Sequence, residues 1–285
     1  AVLKALGRTG RFSEPCALLL GGFDGFHTGH ASLKTAAEQT GLPVGITAIS
    51  GNKAGGNLFT LEERAAIFSR AGFSFVAEYA FDEALKNTSA EAFLRDLFGR
   101  VNVKAVFCGE DYRFGKDARG TAETLKAAAP CPVTVLPLVS EESGKISVSR
   151  IKAALAAGEI SAANRLLYGG YFLQGIVEHG RRVGRTYGFP TLNLAYPAEK
   201  FPVRDGVYGG YAETPAGDYP AMINFGARPT FGLCEKKAEA YLKGFDGDLY
   251  GKTVRLFPQK FLRPVMRFSS AEALKTQLRE DAEKI

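Results

Sequence analysis

The chain has 285 residues, 46% of them hydrophobic, and a formal net charge of +6. That length suits two domains of ordinary size, each with its own core. No run of about 18 apolar residues occurs, which excludes a membrane-spanning helix, and the 36 Lys and Arg never cluster into the basic run of a nucleic-acid footprint.

The four cysteines (Cys16, Cys108, Cys131, Cys234) are widely spaced and form no Cys-x-x-Cys pair. They exclude a disulfide framework or a zinc ribbon and suit a reducing compartment. The stretch "AVLKALGRTGRFSEP" lacks the basic-then-apolar layout of a signal peptide. The expected location is the cytoplasm.

In chain order, "ALLLGG" reads as a buried strand and "HASLKTAAEQTG" as a helix closed by Gly41. "PVGITAI" is the next strand. "TLEERAAIFSRAG" opens with Thr60 three residues before Glu63, the spacing of a capping box in which the two residues satisfy each other's free amides. "FSFVAEY" and then "SAEAFLRDLF", with Ser89 as N-cap, repeat the cycle. "VKAVFCG" and "VTVLPLV" bracket a further helix, "TAETLKAAA". Five strands with helices between them predict a mainly parallel, doubly wound sheet.

Two short helices, about Ser149–Ala157 and Ser161–Leu167, lead to "YGGY" near residue 168. Beyond it come "FLQGIVEHG", "GVYGGYAET", "YPAMINFG", "AEAYLKGF" and "TVRLFPQKFL", separated by turns such as "PAGD", with a last helix at Ala271–Lys284. Closely spaced strands with turn signals predict a small antiparallel barrel. The expected division is 1–168 and 169–285.

The chain has three histidines, and two of them stand three residues apart in "LLLGGFDGFHTGHASL". The strand and helix assignments put His27 and His30 in a strand-to-helix loop, at the carboxyl edge of the sheet where such folds bind ligands. Free amides at the helix start favour phosphate there. Zinc would need a further His, Cys or an adjoining Glu, and none follows. An exposed loop carrying two polar side chains is the plain alternative. Gly21, Gly22, Gly25 and Gly29 keep the backbone accessible, so phosphate binding is the better reading.

"GGFDGFHTGHASL" resembles the His-x-Gly-His signature of the nucleotidyltransferase superfamily, in the form found in bifunctional riboflavin kinase/FAD synthetases. "FCGEDYRFGKDARGT" is similar to the segment that helps form that family's flavin and adenine sites. "ISVSRIK" stands at its Ile-Ser-Ser-Thr-x-x-Arg position, with Val148 for the second Ser and Lys152 for the Arg. "AISGNKAGGN" stands where the family carries a Pro- and His-bearing segment. Further on, "GIVEHGRRVGRTYGFPTLNL" resembles the riboflavin kinase signature, and "INFGARPTFG" and "EAYLKGFDGDLYGKTVRLFPQKFLR" follow in family order.

The resemblance implies an α/β domain of nucleotidyltransferase type followed by a small β-barrel kinase domain with a C-terminal helix. It implies Mg²⁺- and ATP-dependent phosphorylation of riboflavin to FMN, then adenylylation of FMN to FAD. His27 and His30 would stabilise charge on ATP, with Gly22, Phe23, Gly29, Ser147, Ser149 and Lys152 binding its phosphates. Gly184, Arg185 and Pro190 would do so in the kinase. Thr191 and Asn193 would hold Mg²⁺, Glu239 would be the catalytic base, and Asp111 and Arg228 would contact flavin. His179 is read as loop structure near the nucleotide.

The expected partners are riboflavin, FMN, FAD and ATP, with neither nucleic acid nor membrane. Val148, Lys152 and the 50–57 loop leave a second reading open, a riboflavin kinase with an altered nucleotidyltransferase domain. A flavin-binding protein without turnover is a third. Oligomeric state is open.

Overall fold

The computed structural model describes residues 3–7, 9–51, 55–137, 139–141, 144–180, 187–230 and 233–285; at 140–141, 227–230 and 233–235 it describes the backbone alone. The chain divides into two compact units, Ala1–Val148 and Ser149–Ile285.

The first unit is built on a six-stranded parallel sheet: β1 (Lys4–Leu6), β2 (Phe12–Leu19), β3 (Val44–Ser50), β4 (Phe75–Ala80), β5 (Val101–Gly109) and β6 (Val133–Leu136). Their order across the sheet is β1-β4-β3-β2-β5-β6. Three residues give β1 no readable alternation, and it escapes the sequence; it pairs Lys4–Leu6 with Phe75–Ala77 at the sheet edge. The helices are α1 (Thr28–Glu38), α2 (Leu61–Arg70), α3 (Glu83–Lys86), α4 (Ala90–Arg100) and α5 (Ala122–Ala128). A two-stranded hairpin, β7 (Ser140–Glu141) and β8 (Gly144–Lys145), follows β6.

Local signals account for the helix starts. The Ser89 hydroxyl accepts from the Ala92 N–H at 3.2 Å. Thr60 and Glu63 form the expected capping box: the Glu63 N–H donates to Thr60 Oγ1 (3.2 Å), and the Thr60 N–H to Glu63 Oε2 (2.8 Å). Glu63 is fully buried, so the box also satisfies a carboxylate that water cannot reach. Thr60→Ala should therefore lower stability by about 1 kcal/mol, the usual loss for an N-cap, read as a lower denaturation midpoint.

The second unit begins at Ser149, within α6 (Val148–Ala157), and continues with α7 (Ile160–Leu166). These helices are bound to the strands beyond them. Ser161 Oγ donates to Gln259 O (2.8 Å) and Asn164 Nδ2 to Pro258 O (2.9 Å), while Arg204 caps the α6 carbonyl of Ala157 (2.9 Å). Six strands follow: β9 (Leu173–Ile176), β10 (Thr191–Ala195), β11 (Gly206–Thr214), β12 (Gly217–Thr230), β13 (Leu233–Leu242) and β14 (Thr253–Arg263). They run β10-β13-β12-β11-β14-β9. An antiparallel bridge between Glu178 and Asn193 brings the ends of that row together, giving a near-closed antiparallel barrel.

Alternation along the strands divides the side chains between two faces. Leu192, Leu194, Ile223, Phe225, Ala238 and Ala240 fill the barrel. Thr191, Asn193, Met222, Asn224, Glu239 and Tyr241 stand on the opposite face.

Over that outer face lies α8 (Ala271–Ala282), started by Ser270 Oγ accepting from Ala273 N. Leu278 packs with Phe189, Val207 and Met222. Two polar ties fix the helix. Arg263 Nε donates to the fully buried Asp281 at 2.7 Å. Lys243 Nζ donates to the Ala282 and Ile285 carbonyls, a cation where the helix dipole is negative.

Candidate functional site

In the parallel sheet the strand order reverses between β2 and β5, and ligands bind beyond the carboxyl ends at such a point. A cavity of about 450 Å³ lies there, walled by the loops after β2, β5 and β6 and by Lys145–Val148. The loop after β2 is pinned from below. The Thr47 hydroxyl accepts from Gly21 N (3.1 Å) and donates to Gly21 O (2.8 Å). Arg64, 1% exposed on the inward face of α2, donates to Ile49 O (2.9 Å) and lies 3.5 Å from Gly22 O. Phe23 is held at φ 40, a conformation that costs energy for a side chain of its size. A Cβ on Gly21 would lie 2.7 Å from its ring, so the turn requires glycine there.

His27 and His30 meet face to face, ring centroids 3.5 Å apart and planes 16° apart. The His27 N–H points at His30 Nδ1 (3.4 Å). Burial pushes the His27 imidazole down to about 4; Asp111 opposes this and Lys145 adds to it. Burial first, and then His27 itself, hold His30 well below its ordinary range. Both rings are therefore neutral at pH 7, one nitrogen of each able to donate. Among the described residues, three buried polar atoms around this floor have no hydrogen-bond partner: Asp24 Oδ2, His27 Nδ1 and Arg64 Nε. Such atoms cost about 1–3 kcal/mol each unless something satisfies them.

These shifts set a pH dependence. An unfolded imidazole takes its proton near pH 6.5, whereas folded His27 does not until about pH 4. Between those values the unfolded state binds more protons. For His27, stability is thus full above pH 6.5 and falls as the pH drops toward 4, by about 1.4 kcal/mol per pH unit. His27→Gln should flatten that decline, measured as urea midpoints from pH 7 to pH 5.

Of the residues expected here, Gly22, Phe23, His27, Gly29, His30, Asp111 and Ser147 all line the cavity. Ser149 and Lys152 fall in the second unit, where the Lys152 ammonium stands 5.4 Å from the Phe201 ring. Lys145, Asp24 and Arg64 were not foreseen. Arg64 was readable in principle, because it shares with Glu63, Ile67 and Phe68 the buried stripe of α2.

In the barrel, two cavities meet at Thr191. One, about 320 Å³, opens on the interior-facing Leu192, Ala240 and Leu242 and on Pro190, Asp248 and Tyr250. The other, about 310 Å³, lies on the outer face beneath α8, walled by Phe189, Met222, Asn224, Glu239, Tyr241 and Leu278 among others. Thr191 lines both. His179 lies against Tyr250, a residue of the first cavity's wall, ring centroids 4.0 Å apart. Tyr241 packs on Phe189 at 5.0 Å.

Asn193, 7% exposed, lines neither cavity. It stands beside Glu239 in register, and a Cβ on Gly180 would reach to 2.2 Å from its amide; glycine is what lets that loop lie over it. Thr191 and Asn193 share one face of β10, two neutral oxygen donors of the kind that suits a hydrated Mg²⁺ completed by substrate phosphate. Among the described residues no cluster of three His, Cys, Asp or Glu is placed to hold a metal. Gly184 and Arg185 lie outside the described residues, and for Arg228 only the strand position, opposite Glu235, is described.

The chain matches a family model described as FAD synthetase over residues 10–150 and one described as riboflavin kinase over residues 167–285. Among its relatives, the bifunctional riboflavin kinase/FMN adenylyltransferase of Escherichia coli is 31% identical over 94% of this chain and 91% of its own. That of Bacillus subtilis is 31% identical over 93% and 89%, and that of Haemophilus influenzae 28% over 99% and 97%. A crystal structure described as a macrolide-efflux protein from Streptococcus pneumoniae shares 29% identity and a TM-score of 0.86, covering 99% of this chain and 98% of that one. Efflux is said of that protein; the fold is what the two share. Both family matches, with more than 30% identity over nine-tenths of the Escherichia coli protein, show that this chain belongs to the bifunctional riboflavin kinase/FMN adenylyltransferase family.

Proposed function

We propose that the chain makes FMN from riboflavin and ATP in its second unit and FAD from FMN and ATP in its first, with the residue roles that follow. The observation that carries the kinase half is the position of Thr191 in the wall of two cavities, Glu239 lying in one of them. Nucleotide in the barrel-end cavity and riboflavin in the cavity beneath α8 would bring the γ-phosphate and the 5′-hydroxyl together at that shared wall. The hydroxyl oxygen forms a bond to the γ-phosphorus as the bond to the β-bridging oxygen breaks, and Glu239 accepts the hydroxyl proton. Thr191 and Asn193 would hold Mg²⁺, which when bound neutralises charge on the phosphates. Positioning and charge stabilisation do most of the work in such transfers.

In the first unit, an FMN phosphate oxygen attacks the α-phosphorus of ATP in line and pyrophosphate leaves. The neutral His27 and His30 donate hydrogen bonds to oxygens that gain charge, with Ser147 at the start of α6 beside them. Asp111 lines the same cavity and would contact the flavin. We place the enzyme in the cytoplasm, where thiols such as Cys16, Cys108 and Cys131 remain reduced.

Chromatography of flavins after incubation with riboflavin, ATP and Mg²⁺, and separately with FMN in place of riboflavin, tests both halves. FMN and FAD from the first mixture and FAD from the second are expected. FMN alone would remove the adenylyltransferase assignment, and no product from either would leave a flavin-binding protein.

A further inference from the structure

The nucleotide cavity of the first unit has a charge problem. A nucleoside triphosphate is a polyanion, yet the stacked histidines are neutral. Among the described lining residues the cations are Lys145 and Arg113, and the carboxylates are Asp24 and Asp111. Arg113 turns one guanidinium nitrogen back to its neighbour's carbonyl, Tyr112 O, at 2.9 Å. Lys145 is different. It ends β8 two residues before Ser147, inside the cavity wall, and its ammonium lies 2.7 Å from Asp111 Oδ2. That oxygen fills the place an anionic ligand's oxygen would take. Both side chains are about half exposed, 44% for Lys145 and 53% for Asp111, and an exposed pair of this kind holds weakly and exchanges readily.

We propose that Lys145 is a phosphate-binding residue of the adenylyl-transfer cavity, stored on Asp111 until a nucleotide triphosphate takes it, and that this exchange releases Asp111 to receive the flavin. The inference rests on the adenylyltransferase reading of that cavity. Its consequence is a coupling between the two substrates. Without nucleotide, Asp111 is occupied by Lys145 and is a poor acceptor for a flavin N–H. With nucleotide, the ammonium follows the phosphates and the carboxylate is free. Each substrate therefore improves the site for the other, by the same factor in both directions. Both charges already reach His27 from opposite senses, so moving Lys145 onto phosphate places its charge next to the donors that serve the transferring group.

The test is a grid of initial rates of FAD formation from FMN and MgATP with the full chain and no riboflavin, so that the kinase consumes nothing. In the wild type, the apparent KM for FMN should fall about fivefold between low and saturating ATP, the size a coupling of about 1 kcal/mol gives. In Lys145→Met, the KM for ATP should rise about tenfold and the KM for FMN should no longer depend on ATP. Lys145→Arg should restore part of both. In Asp111→Asn the ATP dependence of the FMN constant should vanish without a rise in the KM for ATP, which separates loss of the stored pair from loss of the phosphate ligand. Riboflavin phosphorylation in the same preparations reports intact folding.

A Lys145→Met enzyme with the wild-type KM for ATP would overturn the phosphate role, and coupling that survives in it would overturn the exchange. Failure of the underlying reading looks different: the wild type would then make no FAD at all.

Discussion

Glu239→Gln should reduce riboflavin phosphorylation by about 10²–10⁴-fold, the usual worth of a positioned general base, while FAD formation from supplied FMN stays at the wild-type rate. The size of the effect follows from where the carboxylate stands. On β13, Ala238 and Ala240 turn into the barrel and are fully buried, which sets Glu239 on the outer face, in the cavity closed by α8. Its register neighbours are Asn193 on β10 and Asn224 on β12. Gln keeps the shape and can still accept a hydrogen bond, but it cannot take the hydroxyl proton at neutral pH. The variant should therefore bind riboflavin with nearly unchanged KM and lose kcat. The adenylyl-transfer cavity is formed by residues up to Val148, and nothing in it changes. Equal loss of both activities would break the assignment of one reaction to each unit. A kinase rate within a few-fold of wild type would remove Glu239 as the base.

Local features were legible in the sequence and non-local ones were not. The Thr60–Glu63 box, the Ser89 cap and the glycine stop at Gly41 act within a few residues, so one stretch of chain contains the whole signal. The alternating pattern of β11 to β14 was equally readable, because one face of each strand must be apolar. β1 is three residues long and β10 five, too short to display a period; β10 hides behind the Pro190-Thr191 motif that drew the functional reading instead. The unit division shows the same limit. α6 and α7 look from their position like the tail of the first domain, but Ser161 and Asn164 are tied to carbonyls more than ninety residues away.

The candidate sites divide likewise. His27 and His30 are neighbours in sequence and meet in the structure. The Thr191 wall between two cavities depends on which strand faces which, and on α8 folding back through Arg263 and Asp281. The Asp111–Lys145 pair joins residues 34 apart, and neither carries a local pattern that announces the other.

His30→Ala should give the complementary loss, a fall of about 10²–10³-fold in the kcat for FAD formation, as for removal of one preorganised donor at a developing charge. Riboflavin phosphorylation should be unaffected. The ring has two tasks that this substitution removes together. It stacks on His27 at 3.5 Å and packs edge-on to Phe23 at 4.8 Å, so it holds the strained turn as well as offering a donor. His30→Asn separates them, since it retains an N–H donor but loses most of the ring contact. If the donor dominates, Asn should recover a substantial part of the kcat lost in Ala. If the ring's support of the turn dominates, Asn and Ala should be equally poor, and both should raise the KM for ATP, because Gly22 and Phe23 would no longer be held against the phosphates. Because both imidazoles are neutral at pH 7, the rate should also be flat from pH 7 to pH 8 in the wild type. A rise in kcat as the pH drops through 6.5 would show that a protonated imidazole carries the reaction, and would replace hydrogen-bond donation by charge as the role of the pair.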